Sequence, residues 1–169
     1  DKPLARWGAL TLIALTMFFA YMFVDVLSPV KTLVETELGW DSTIFGLYGG
    51  SEFFLNVFVG FLILAGIILD RMGVRFTALL SGSLMVIGAL LKVYALSATF
   101  KNGGLGYEAM NSFSGFLKDL AGWTLPPTAL CASLGFMLFG CGTEMAGVTV
   151  SRAIVKWFKG KEMALAMGI

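Results

Sequence analysis

Apolar residues in this chain fall in long, nearly uninterrupted runs. Four runs reach the length of ~20 residues that a helix needs to cross the hydrocarbon layer of a bilayer. They cover roughly 7–30, 44–69, 76–98 and 129–155, and a fifth begins at Met163. Lipid offers no partner to a free N–H or C=O, so runs of this kind predict helices, whose backbone bonds are all internal. A membrane barrel would show alternating ten-residue segments instead. The pattern therefore predicts an all-α membrane protein, a transmembrane helix bundle.

Polar residues punctuate the runs. Ser28-Pro29 is expected to close the first helix, and Gly39-Trp40-Asp41-Ser42 predicts a turn with Asp41 or Ser42 capping the second. Asp70–Arg75 reads as a very short charged link. The segment 99–128 is the one long connection, with a turn at Asn102-Gly103-Gly104 and a break at Pro126-Pro127. Within it, Phe113, Phe116, Leu117, Leu120 and Trp123 have near-helical spacing, which predicts a short helix lying at the membrane interface. At the other end of the chain, the run from Trp7 to Val30 is longer than a signal-peptide core and has no clear small-residue cleavage site, so a retained span is expected.

Basic residues orient the bundle. The N-terminus, the link between helices two and three, and the region after helix four lie on one side and hold Lys2, Arg6, Arg71, Arg75, Arg152, Lys156, Lys159 and Lys161. The opposite side holds only Lys31, Lys101 and Lys118, and Lys92 lies within the third run. The excess predicts a cytoplasmic N-terminus and an extracytoplasmic 99–128 loop. Composition agrees with a membrane protein: 57% of residues are hydrophobic and 14% charged, and mean hydropathy is +0.84. A net charge of +1 gives no electrostatic case for nucleic acid. With no histidine, no Walker loop and no metal-ligand cluster, neither catalysis nor a cofactor is expected. Cys131 and Cys141 are ten residues apart on one predicted helix, about 15 Å along its axis, too far for a disulfide. Many of the 21 glycines lie inside the runs, among them Gly46, Gly49, Gly50, Gly60 and Gly66 in the second and Gly135, Gly140, Gly142 and Gly147 in the fourth. In lipid such residues let helix backbones approach closely.

The most specific stretch is Gly66-Ile67-Ile68-Leu69-Asp70-Arg71-Met72-Gly73-Val74-Arg75. Gly66 would permit close contact near the membrane face. Asp70 can accept from a helix N-terminus, and Gly73 supplies freedom for a reversal. Arg71 and Arg75 can anchor the link and pair with carboxylates. A generic charged turn would satisfy the same physics. The stretch resembles the loop signature of the major facilitator superfamily, Gly-x-x-x-Asp-Arg-x-Gly-x-Arg, in its usual place between helices two and three. Val74 departs from it, since the family often has a basic residue there. Phe139-Gly140-Cys141-Gly142-Thr143-Glu144 and Trp157-Phe158-Lys159-Gly160-Lys161-Glu162 are similar to the branch that contains the lysosomal dipeptide transporter and its bacterial relatives, and less closely to the oxalate–formate exchangers. The resemblance implies the first four to five helices of a major-facilitator-type fold, with the remaining C-terminal helices on the same polypeptide. It implies alternating access around a central site, a small-molecule substrate, protons as a coupling ion, and a multi-pass protein expected in the bacterial inner membrane.

Ionisable residues in the runs are the candidate site, because each costs at least about 2.5–3.5 kcal/mol at bilayer depth. Gly140, Glu144, Gly147 and Ser151 share one helical face, so Glu144 reads either as a substrate or proton site or as an interhelical hydrogen bond. The branch resemblance favours a cavity-facing carboxylate there. Tyr48, Glu52, Asn56 and Gly60 repeat every four residues and share a second face, a pathway stripe or a packing network. Asp25 aligns with Tyr21 and Ser28 near a helix end. Lys92 shares a face with Ser81, Met85 and Gly88; it could snorkel to the interface or pair with Glu52 or Asp25. Three acids against one base favour an amine-bearing or cation-coupled solute. Arg152, ending the fourth run, is placed to pair with Asp70 as a latch or to act as a simple anchor. A non-transporting membrane scaffold subunit is the competing class.

Overall fold

In a computed structural model the chain is described over residues 3–169; Lys2, counted above among the basic residues of one side, lies outside them. The described residues form helices and no strand. They are α1 Pro3–Val24, α2 Lys31–Leu38, α3 Ser42–Phe58, α4 Phe61–Leu96, α5 Ala98–Lys101, α6 Tyr107–Ala121, α7 Pro127–Phe158 and α8 Met163–Gly168. A 3₁₀ turn, Ser28–Val30, leads into α2. Pro3–Leu38, Phe61–Leu96 and Pro127–Phe158 are long and apolar enough to cross a membrane. The fold is an all-α transmembrane bundle.

Several boundaries differ from the hydropathy reading, each for a local reason. The first helix ends at Val24, short of Val30, because the Ser28 hydroxyl donates to the Asp25 carboxylate and Pro29 enters a tight turn. The second run breaks at Gly60, whose φ of +69° is left-handed, and a new helix starts at Phe61. The charged link is not a loop: helix runs through it on both sides of one non-helical residue, Gly73, whose positive φ of 80° (ψ 170°) suits glycine. The long connection is largely helical. Its α6 turns Tyr107 and Met110 toward the core and leaves Phe113, Phe116 and Leu120 exposed; Trp123, also exposed, lies beyond the end of α6. The fourth run starts earlier, at Pro127, where a missing N–H costs nothing. The Asp41 cap forms as expected, its carboxylate accepting from Ile44 N at 2.8 Å.

α7 is the hub. It runs parallel to α3 in constant register: Trp40 Nε1 donates to Thr128 Oγ1 at 3.0 Å, Tyr48 stacks on Phe136, and Glu52 lies against Gly140, every pair offset by 88 residues. It runs antiparallel to the arm of α4 that follows Gly73, with Gly142 against Ser81 and Met85, and Gly135 against Gly88 and Lys92. A Cβ on Gly88 would stand 2.5 Å from both Gly135 O and Phe139 N, so the two backbones touch. By contrast, a Cβ on Gly46, Gly49, Gly50 or Gly66 meets nothing within 4 Å. The close helix contact expected at Gly66 is therefore absent among the described residues.

Candidate functional site

The buried face of α4 repeats as Thr77, Ser81, Met85, Gly88, Lys92 and Ala95, a helical stripe pressed on α7. Because Gly135 has no side chain, the Lys92 stem can lie along α7 there. Lys92 is only 2% exposed, so it does not snorkel. Neither does it form an ion pair with Glu52 or Asp25; among the described residues no carboxylate lies within 4 Å of its Nζ. Instead the ammonium sits among four rings: Phe136 at 4.0 Å, Phe23 at 4.7 Å, Tyr48 at 5.5 Å and Phe139 at 5.6 Å to the centroids. The negative faces of the rings substitute for water, a contact worth about 2 kcal/mol or more once desolvated. The Nζ nevertheless has no hydrogen-bond acceptor, and the nearby Tyr48 hydroxyl and both polar atoms of Asn56 are also buried without partners.

Glu52, 5% exposed, is one turn below Tyr48 on the same face of α3. It lies within electrostatic reach of both Lys92 and Glu144. Glu144, half-buried on α7, is one turn from Gly140, the residue that seats Glu52. The Tyr48–Glu52–Asn56 stripe and Lys92 thus come together against α7, with Glu144 beside them. Tyr21, 58% exposed, and Asp25, exposed in the turn after α1, do not join them. Asp25 is occupied by Ser28 instead. Among the described residues the interior balance is accordingly two carboxyl groups against one amine, one acid in excess. A separate cavity of about 240 Å³ between α1, α4 and α7, lined by residues such as Met17, Ala78, Met85 and Thr149, has no charged residue on its wall.

Of the four rings around Lys92, only Tyr48 was among the candidates read from the sequence; Phe23 was missed, and so were Phe136 and Phe139. Their spacing of three within the glycine-bearing face of α7 was the available signal.

At the Gly73 end, Asp70 does not cap a helix. It forms an ion pair with Arg152, Oδ1 to Nη2 3.2 Å, and both partners line one groove with Gly66 and Ser151. The side chains are 65% and 61% exposed. Such a pair contributes only about 0.2–1 kcal/mol to stability. Arg71 and Arg75, expected to pair with carboxylates, have no ion-pair partner among the described residues. A second tie was missed by the sequence reading: Arg6 donates to Glu162 at 3.0 Å and lies 4.7 Å over the Phe158 ring, which fastens the start of α1 to the α7–α8 junction.

Over 165 residues the chain is 27% identical to the lysosomal dipeptide transporter MFSD1 of Mus musculus. The match takes in 97% of this chain and 29% of that protein, so the chain spans less than a third of the relative's length. No family model matches the chain, and no solved structure does. The likeness supports a major-facilitator-like bundle.

Proposed function

We propose that this chain is the N-terminal part of a secondary transporter that moves a small polar solute by alternating access, with an amine-bearing compound such as a dipeptide or amino acid as the solute class and protons as the coupling ion. One observation carries the reading: Glu52, Glu144 and Lys92 are gathered inside an apolar bundle with one carboxylate in excess. A bundle that only packed would gain by replacing these groups with apolar ones. The excess negative charge is complemented by one proton or one ammonium. An organic-anion exchanger of the oxalate–formate type would need a cation free to meet its solute, and the ammonium of Lys92 is enclosed by rings. The similarity to a dipeptide transporter agrees with an amine-bearing solute.

The test is uptake by the complete polypeptide in liposomes, comparing dipeptides, amino acids and small carboxylates with and without a proton gradient. Glu144→Gln should abolish amine-dependent or gradient-dependent uptake. Losing one charge-assisted hydrogen bond, about 1.5–3 kcal/mol, corresponds to roughly 10- to 100-fold in apparent affinity. Wild-type uptake by that variant would remove Glu144 from the pathway, and absence of uptake for every solute would favour a scaffold subunit.

In the same reading, Asp70–Arg152 is a latch on the cytoplasmic side. Asp70→Asn and Arg152→Gln should each change uptake by about two- to fivefold, the population shift available from a pair worth up to ~1 kcal/mol. Melting temperatures should stay near wild type. The charge swap Asp70→Arg with Arg152→Asp should restore uptake; failure of the swap to restore it would leave Arg152 as a plain anchor.

A further inference from the structure

Four of the basic residues at the Gly73 end form two contrasting pairs. Arg6 and Arg152 are neutralised by Glu162 and Asp70. Arg75 and Lys156 have no ion-pair partner among the described residues, and they line a common groove of about 440 Å³ with Met72, Gly73, Val74 and Trp157. No carboxylate is among its lining residues. The backbone explains why the groove exists. Gly73 leaves helical geometry, so the two arms of α4 part at this point, and nothing stands within 4 Å of where its Cβ would be. One side of Trp157 packs with Leu10, Ile154 and Phe158, and its remaining surface lines the groove.

We propose that this groove binds the phosphate of an anionic membrane phospholipid. Two uncompensated cations supply the attraction, one of them a guanidinium suited to two oxygens of a phosphate. Met72, Val74 and the Trp157 indole give the glycerol and first acyl carbons an apolar seat, which a free phosphate would not use. The groove lies at the end of the spans where positive charge accumulates, the depth of a lipid headgroup. This site stands apart from the transport reading and does not depend on it.

Native mass spectrometry of the detergent-purified complete polypeptide, titrated with phosphatidylglycerol, phosphatidylcholine or inorganic phosphate, tests the assignment. Phosphatidylglycerol should bind in preference to phosphatidylcholine, and added salt should weaken it. Arg75→Gln and Lys156→Gln should each weaken it about fivefold and the double variant about thirtyfold, as expected for one cation near a charged surface lost each time. Arg71→Gln removes the same charge outside the groove and should bind as wild type. The pair Arg75→Lys with Lys156→Arg keeps both charges and should retain the lipid; it carries the test if the glutamine variants do not fold. Equal loss in Arg71→Gln would reduce the effect to general surface charge and overturn the site. So would loss of lipid in the charge-keeping pair, no preference for phosphatidylglycerol, or displacement of the lipid by inorganic phosphate at matched concentration, which would mark a free-phosphate site.

Discussion

Replacing Gly88 with valine is expected to separate α4 from α7 and unfold the bundle at temperatures where the parent chain is intact. The added Cβ would lie 2.5 Å from Gly135 O and Phe139 N, both backbone atoms that cannot swing aside as a side-chain tip could. Overpacking a well-filled interior costs typically about 1–3 kcal/mol, and a clash with backbone on two sides belongs at or above the top of that range. The contact also seats Lys92, since Gly135 faces both Gly88 O and Lys92 N. The loss should therefore extend to the aromatic cage. Thermal melting of the detergent-solubilised chain by far-ultraviolet circular dichroism is the measurement. Gly46→Ala and Gly66→Ala provide the contrast, because a Cβ at either position meets open space. These two should melt at or slightly above wild type, by up to about 1 kcal/mol, because alanine loses less backbone entropy than glycine in a helix. If Gly88→Val melts with them, the backbone contact between α4 and α7 is not what closes the bundle.

The second large effect concerns Lys92. Lys92→Met keeps much of the side chain's volume but removes the ammonium from between Phe136 and Phe23. Glu52, 5% exposed and within the field of Lys92, then faces Glu144 without a compensating cation. The expected destabilisation is about 2.5–3.5 kcal/mol, the scale of one uncompensated charge at bilayer depth. Pairing the change with Glu52→Gln removes the orphaned charge as well, and more than half of the lost stability should return. A double-mutant cycle by melting or by denaturant titration reads the coupling directly. Strict additivity of the two single changes would show that Lys92 answers only to the rings, and the three-charge set would dissolve into separate features. Uptake should not recover in the double variant, because the excess carboxylate that the transport reading needs would then lack its neighbours.

Much was legible before any coordinates. Apolar runs of spanning length demand internally bonded backbone, so the helical class followed from composition along the chain. The Asp41 cap followed from a carboxylate placed ahead of an apolar run. The spacing of Tyr48, Glu52 and Asn56 put them on one face, and the spacing of Ser81, Met85, Gly88 and Lys92 put those on another, because helical periodicity is local. Pairing of Asp70 with Arg152 was foreseeable as one option, since both belong at the same end of adjacent spans.

What periodicity could not supply was the partner of each face. Hydropathy cannot see a break that costs little hydrophobicity, so the kinks at Gly60 and Gly73 were hidden inside apolar or charged runs. Nor can it tell a lysine that snorkels from one enclosed by rings, because Phe23, Tyr48, Phe136 and Phe139 come from three separate helices. Asp25 left the charge balance for a similar reason: a local turn with Ser28 ends α1 early and places the carboxylate beyond it. Hydropathy and periodicity suffice to say that spans form and which residues share a side of each. Which sides meet is settled in three dimensions, because contacts between helices depend on where small residues allow two backbones to touch, and that is a property of pairs and not of any one segment.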